Sequence, residues 1–247
     1  MRLAENFRAG LSSVGGRGLV GFSLACAAAL GVSAQTTVSV SGLANIYGSG
    51  FADAPGPGGF GGGATAVEYP LPNGTTSLKF TSVIGTISFD SSSFSGADGS
   101  TSWGALTQLS DYRSLSGITY SGRTAFLIGV FLDASTPTGA APATLSYDTT
   151  SAGLSTFSPL LRQVFFTGDG LDTSSGLQVF NVPTGATRLF LGFADAWNGS
   201  SVTGLPGAYQ DNAGSLSVTI SPIPEPETLA LWLGLGAIAT AVWRRRA

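Results

Sequence analysis

The chain contains no histidine, one cysteine and one methionine, and only 10% of its 247 residues are charged. Without histidine it lacks the commonest general base and metal ligand. The lone cysteine, Cys26, sits in an N-terminal apolar run. Ser–His–Asp triads, Cys–His pairs and the usual zinc centres are therefore excluded. So low a charge would suit a membrane protein, yet apolar runs approaching the roughly 20 residues of a stable span are scarce. Glycine and proline are abundant (36 and 12) but fall short of a purely low-complexity chain.

The two ends read as addresses. Arg2, Arg8 and Arg17 precede the 12-residue uncharged run Leu19–Leu30, and Val32-Ser33-Ala34 follows before Gln35. A basic region, an apolar core and small residues at the cleavage point are the pattern of a secretory signal peptide over 1–34, cut by signal peptidase between Ala34 and Gln35. At the other end, Pro224-Glu225-Pro226 is followed by an apolar stretch near 229–243 and by Arg244, Arg245 and Arg246. The stretch is short for a permanent anchor, and the arginines would stay on the cytoplasmic side. These three ordered elements resemble the PEP-CTERM sorting signal of Gram-negative bacteria, here covering 222–247. The resemblance implies transient residence in the inner membrane through the C-terminal helix, an exosortase-type processing enzyme as partner, and delivery to the cell surface or extracellular matrix.

Between the addresses, at 35–221, five basic residues face eleven acidic ones, a net charge of −6. With no basic patch, nucleic acid is not an expected partner. Ten of the eleven acids are Asp, which favours turns and loops. No cysteine remains to form a disulfide, so stability must come from core burial or bound metal.

The body reads as one all-β domain, a β-sandwich or jelly roll. Short segments rich in Val, Ile, Leu and Phe recur between Gly, Pro, Asp and Asn, and no sustained helical period appears. Leu78–Ser82 and Ile84–Ser88 read as two strands with a bulge at Gly85. The apolar run Ala125–Leu132 predicts a strand buried on both faces. Segments 163–167, 177–182, 187–193 and 215–220 complete the set. The Gly/Pro-rich stretch 48–64 reads as a flexible loop. It opens no helix and carries no Lys-Ser/Thr, so it is not a phosphate loop.

The chemistry concentrates at 183–220. Asp195 follows one strand, Pro206-Gly207-Ala208-Tyr209 occupies a loop, and Asp211-Asn212 precede the last strand. Hard oxygens at both ends of one loop suit calcium, which takes six to eight oxygen ligands. Asp and Asn also cap turns through their own backbone, which is the plainer account of each residue alone. The segment resembles the C-terminal part of calcium-dependent galactose-binding bacterial lectins, most closely over Pro206–Val218. The resemblance implies a galactose-binding-like sandwich with calcium held by Asp195, the carbonyl of Ala208, Asp211 and Asn212, and with two sugar hydroxyls on the metal. Two departures are a longer spacing between Asp195 and Pro206 and the absence of the lectins' sugar-side histidine. Trp197 and Tyr209 flank the loop and are candidate sugar-stacking residues; Trp103 and Tyr112 are more distant ones. The acids of Thr167–Asp172 read as a hairpin turn. The expected role is noncatalytic carbohydrate binding. A purely structural exopolysaccharide-matrix component and a secreted glycan-active hydrolase with two converging carboxylates are the alternatives.

Overall fold

A computed structural model describes residues 34–224. Ala34 and Gln35 are exposed at its start. The rest of the signal-peptide reading, Glu225, Pro226, the apolar segment at 229–243 and Arg244–Arg246 lie outside the described residues. Fifteen strands follow one another: β1 (Thr36–Ser41), β2 (Ala44–Asn45), β3 (Ala64–Thr65), β4 (Val67–Pro70), β5 (Thr75–Ser88), β6 (Leu106–Leu109), β7 (Ile118–Ser121), β8 (Ile128–Leu132), β9 (Leu145–Tyr147), β10 (Thr156–Phe157), β11 (Val164–Phe166), β12 (Val179–Asn181), β13 (Arg188–Gly192), β14 (Val202–Gly204) and β15 (Ala213–Pro224). The protein is all-β. Among the described residues the only helical pieces are single 3-10 turns, and no helix is long and apolar enough to cross a membrane.

The strands form open sheets in the orders β1-β15-β5-β12-β10, β11-β8-β13-β4 and β14-β6-β7-β9, with β2 and β3 as a separate pair. Strand β8, the core of the apolar run, is buried at every position and lies between β11 and β13. Polar side chains there would be desolvated on both faces, which is why the segment does not alternate. β15 does alternate: Leu216, Val218 and Ile220 are fully buried while Ser215 and Ser217 face out.

Aromatic rings join the sheets. Phe165 of β11 stacks on Phe131 of β8 at 5.2 Å and meets Phe180 of β12 at 5.8 Å. Phe180 in turn stacks on Phe157 at 5.0 Å and meets Phe80 edge-on at 4.9 Å. Phe166 reaches Tyr120 of the third sheet at 5.3 Å. The buried apolar residues thereby form one cluster. The Asp residues serve the turns: the Asp172 carboxylate accepts the N–H groups of Ser174 and Gly176, each within 2.9 Å. The Ser135 hydroxyl and N–H hold the Asp133 carboxyl below its usual range.

Three expectations are corrected. The two strands foreseen at 78–88 are one, β5. Gly85 does not break it, because at φ +122 it lies flat against the Ser215 carbonyl, where a side chain would clash. The register shift lies instead between Thr219 and Ile220 of β15, opposite Ser82 and Phe80. Pairing of β15 also continues past 221: Pro222, Ile223 and Pro224 lie opposite Leu78, Ser77 and Thr75. Finally, the Gly/Pro-rich stretch 48–64 is a built element whose backbone packs on the 205–210 loop.

Candidate functional site

The site lies at the end of the molecule where β13 stops and β15 begins. Beyond Gly192, Phe193 exchanges backbone bonds with the β2 edge: its N–H donates to the Ala44 carbonyl at 2.7 Å, and its carbonyl accepts the Ile46 N–H at 3.1 Å. Gly42 N–H donates to the Gly214 carbonyl at the root of β15. Asp195 and Asn212 thus stand at the two roots of one loop, and the segment 42–46, bonded to Phe193 and to Gly214, brings those roots together.

The Asp195 backbone is held at both ends. Its N–H donates to the Tyr209 hydroxyl at 3.0 Å, and its carbonyl accepts the Gly207 N–H at 2.9 Å. Its side chain is the opposite case. Asp195 is 3% exposed, and its Oδ2 is buried with no hydrogen-bond partner. Asn212 is 7% exposed; its Nδ2 donates to the Gly42 carbonyl at 3.0 Å, but its Oδ1 is likewise buried and partnerless. Buried polar atoms are nearly always satisfied, so two bare oxygens at one place call for an explanation. Burial pushes the Asp195 carboxyl well above the usual carboxylate range. The neighbouring Asn212 side chain and Ala196 N–H offset part of the rise, and the Asp211 charge adds to it.

Asp195 also lines a cavity of about 320 Å³ together with Ala208, Asp211, Trp197 and Phe60. Ala208 adopts a left-handed conformation at φ +64, immediately before the 3-10 turn Tyr209–Asp211. Asp211 is exposed at the rim, and its carbonyl accepts the Ser91 hydroxyl. Of the four expected calcium ligands, Asp195, Ala208 and Asp211 share the cavity and Asn212 lies beside Asp195. Among the described residues no three His, Cys, Asp or Glu side chains converge. A cation here would therefore complete its shell with amide, backbone and water oxygens.

The two aromatic candidates separate. Trp197 is 46% exposed at the cavity. Tyr209 is corrected: it is fully buried, with its hydroxyl donating to the Phe193 carbonyl at 2.9 Å while accepting from Asp195. It is a strut between the end of β13 and the loop, with no face left for a sugar. Its pKa is pushed well up by burial, with the Asp195 charge adding. Tyr112 lies beside the Arg113 guanidinium, and Asp169 and Asp172 belong to turns.

The glycine run supplies what sequence reasoning missed. Asn45, fully buried, donates to the carbonyls of Pro55 (2.6 Å) and Gly62 (2.9 Å), tying both flanks of the run to one side chain. Four backbone bonds then zip the run to the site loop: Gly58 N–H to Pro206, Ala208 N–H to Gly59, Tyr209 N–H to Gly61 and Gln210 N–H to Phe60, at 2.9–3.4 Å. A β-carbon on Gly207 would stand 2.5 Å from the Gly59 carbonyl, and one on Gly58 2.5 Å from that of Leu205. The glycines permit backbone-to-backbone packing. Within this run Phe60 sits at φ +53 and is 57% exposed, where a non-glycine residue costs about 1–2 kcal/mol. The readable signal was an aromatic residue interrupting a run of glycines.

No family model matches the chain, and no curated protein or solved structure shows significant similarity to it.

Proposed function

We propose that the protein is exported and sorted to the cell surface or extracellular matrix, and that its body is a β-sandwich of galactose-binding-like type that binds carbohydrate with the help of calcium. The observation that carries this reading is the pair of buried, partnerless oxygens, Asp195 Oδ2 and Asn212 Oδ1, beside a cavity that also holds the Asp211 carboxylate and Trp197. Such a donor set is all oxygen, as calcium prefers, and an ion would relieve the desolvation of Asp195. Asp195, Asn212, Asp211 and the Ala208 carbonyl would hold it. The bound ion would supply positive charge to vicinal hydroxyls, while Trp197 offers an aromatic face for the sugar's C–H groups. The cross-sheet contact of Phe165 with Phe180 supports the sandwich reading. The role is noncatalytic.

Calorimetric titration of the purified full chain with calcium, wild type beside Asp195→Asn, tests the metal. Heat and a raised Tm in wild type, both lost in the variant, are expected; no response in wild type would sink the calcium reading. A second reading, a glycan hydrolase, draws on Asp195 and Asp211 sharing one cavity, the first with a raised pKa and the second at the rim. Turnover of nitrophenyl glycosides that disappears in Asp211→Asn would establish it in place of binding.

The sorting reading rests on the tail sequence. Processing by an exosortase-type partner would require Pro224-Glu225-Pro226. A tail with alanines at those positions that is still processed normally would overturn it.

A further inference from the structure

We propose that Phe60 is a ligand-binding residue: with Trp197 it provides the exposed aromatic lining of a slot that also contains Asp195, and the slot takes a neutral saturated ring bearing vicinal hydroxyls. The choice of ligand class rests on the carbohydrate reading above; the role of Phe60 rests on the geometry alone.

Phe60 lies within the segment Gly58–Gly63, in which every other residue is glycine. Its backbone conformation, φ +53, is one that glycine adopts at no cost and phenylalanine does not. Its side chain gains little from the core, being more than half exposed. A residue that is strained and exposed at once is unsuited to a purely structural role, and such residues gather at ligand sites. The backbone that carries the ring is tied to the site loop, because the carbonyl of Phe60 accepts the Gln210 N–H and Gly58, Gly59 and Gly61 are bonded to Pro206, Ala208 and Tyr209. The ring lines the same cavity as Trp197.

The chemistry of the lining selects the ligand. Phe60, Phe89 and Trp197 are the cavity's aromatic lining, and Asp195, Asp211, Ser201 and Gln210 provide hydrogen-bonding groups. Among the described residues no basic side chain lines the cavity, so no side chain there pairs with a phosphate or an acidic sugar. Aromatic faces suit C–H surfaces and carboxyl oxygens accept O–H donors, a combination met by a neutral polyhydroxylated ring. At about 320 Å³ the cavity is at the small end of ligand sites, sized for a single ring.

The test uses the purified full chain, with calcium present, and ligand-observed saturation-transfer NMR backed by calorimetry. The probes are the methyl glycosides of glucose, galactose and mannose, trans-1,2-cyclohexanediol, and tetramethylammonium as a cationic control. Wild type is compared with Phe60→Gly and Phe60→Trp. Binding of a glycoside or the diol is expected, weakened at least tenfold in Phe60→Gly and retained in Phe60→Trp, while the Tm of Phe60→Gly stays level or rises. Glycoside binding unchanged in Phe60→Gly overturns the role of Phe60 and leaves the carbohydrate reading standing. Diol binding that needs Phe60, without any glycoside binding, upholds the slot and removes the carbohydrate reading. Binding of tetramethylammonium alone, or of none of the probes, overturns the proposal.

Discussion

The aromatic centre and the loop end of this protein solve opposite problems. Around β8, β11 and β12, rings fill the space between sheets, and Phe165 and Phe180 are fully buried. At the loop end, Asn45, Asp195 and Asn212 are buried polar side chains, two of them with an oxygen left bare. The Tyr47 hydroxyl is another buried partnerless group there, its pKa raised by burial. Apolar burial stabilises and specifies little chemistry. Bare buried oxygens destabilise unless something occupies them. Thr167 and Gln178, beside β11 and β12, also bury a partnerless oxygen, but among the described residues it is at the loop end that one lies against a cavity of about 320 Å³.

The largest effect is expected at the aromatic centre. Phe180→Ala should lower stability by about 3–5 kcal/mol, read by denaturant unfolding, and should leave the calcium affinity of the remaining folded protein unchanged. A variant equal to wild type in stability would show that the stacked rings are not the centre of the core. Asn45→Ala comes next. It strands the Pro55 and Gly62 carbonyls and should cost about 2–4 kcal/mol. Unlike Phe180→Ala it should also weaken calcium binding, because the glycine run positions the site loop. Equal calcium affinity in wild type and Asn45→Ala would separate the two loops functionally.

Asp195 sharpens the comparison through pH. Its pKa is raised in the folded state, so the native protein binds more protons than the unfolded chain above the ordinary carboxylate value of about 3.9. Its contribution is therefore lost as pH rises through that range toward the folded pKa. With calcium chelated, wild type should lose stability relative to Asp195→Asn as pH rises above about 4; parallel profiles would contradict the raised pKa. If the proposed calcium binding holds, saturating calcium should reverse the divergence, stabilising wild type over the variant as Asp195 ionises. The smallest effect is at Phe60. Phe60→Gly relieves the left-handed strain but frees the unfolded chain, so stability should change by less than about 1 kcal/mol. Thermal melts that drop sharply would show that the ring is structural after all.

Much of the fold was legible because burial on two faces leaves an apolar run, as in β8, and burial on one leaves alternation, as in β15. The span of β5 was misread because Gly85 looks like a break, whereas the Ser215 carbonyl beside it requires a residue without a side chain. At the site, Asp195, Asp211 and Asn212 could be nominated from residue type and order. Tyr209 was misassigned because a tyrosine in a loop gives no sign of which way it faces. Asn45 and Phe60 were missed because their partners lie 10 to 150 residues away along the chain.

By itself the sequence determined the strand-rich class, the acidic body without cysteine or histidine, the address-like ends and an oxygen-only set of candidate ligands. Those properties follow from composition and local periodicity, which do not depend on what packs against what. Only the tertiary structure decided that a glycine run would close over the site loop, that Tyr209 would be a strut, and that two oxygens would be buried bare. Each depends on long-range approach of backbone to backbone, set by how the sheets come together.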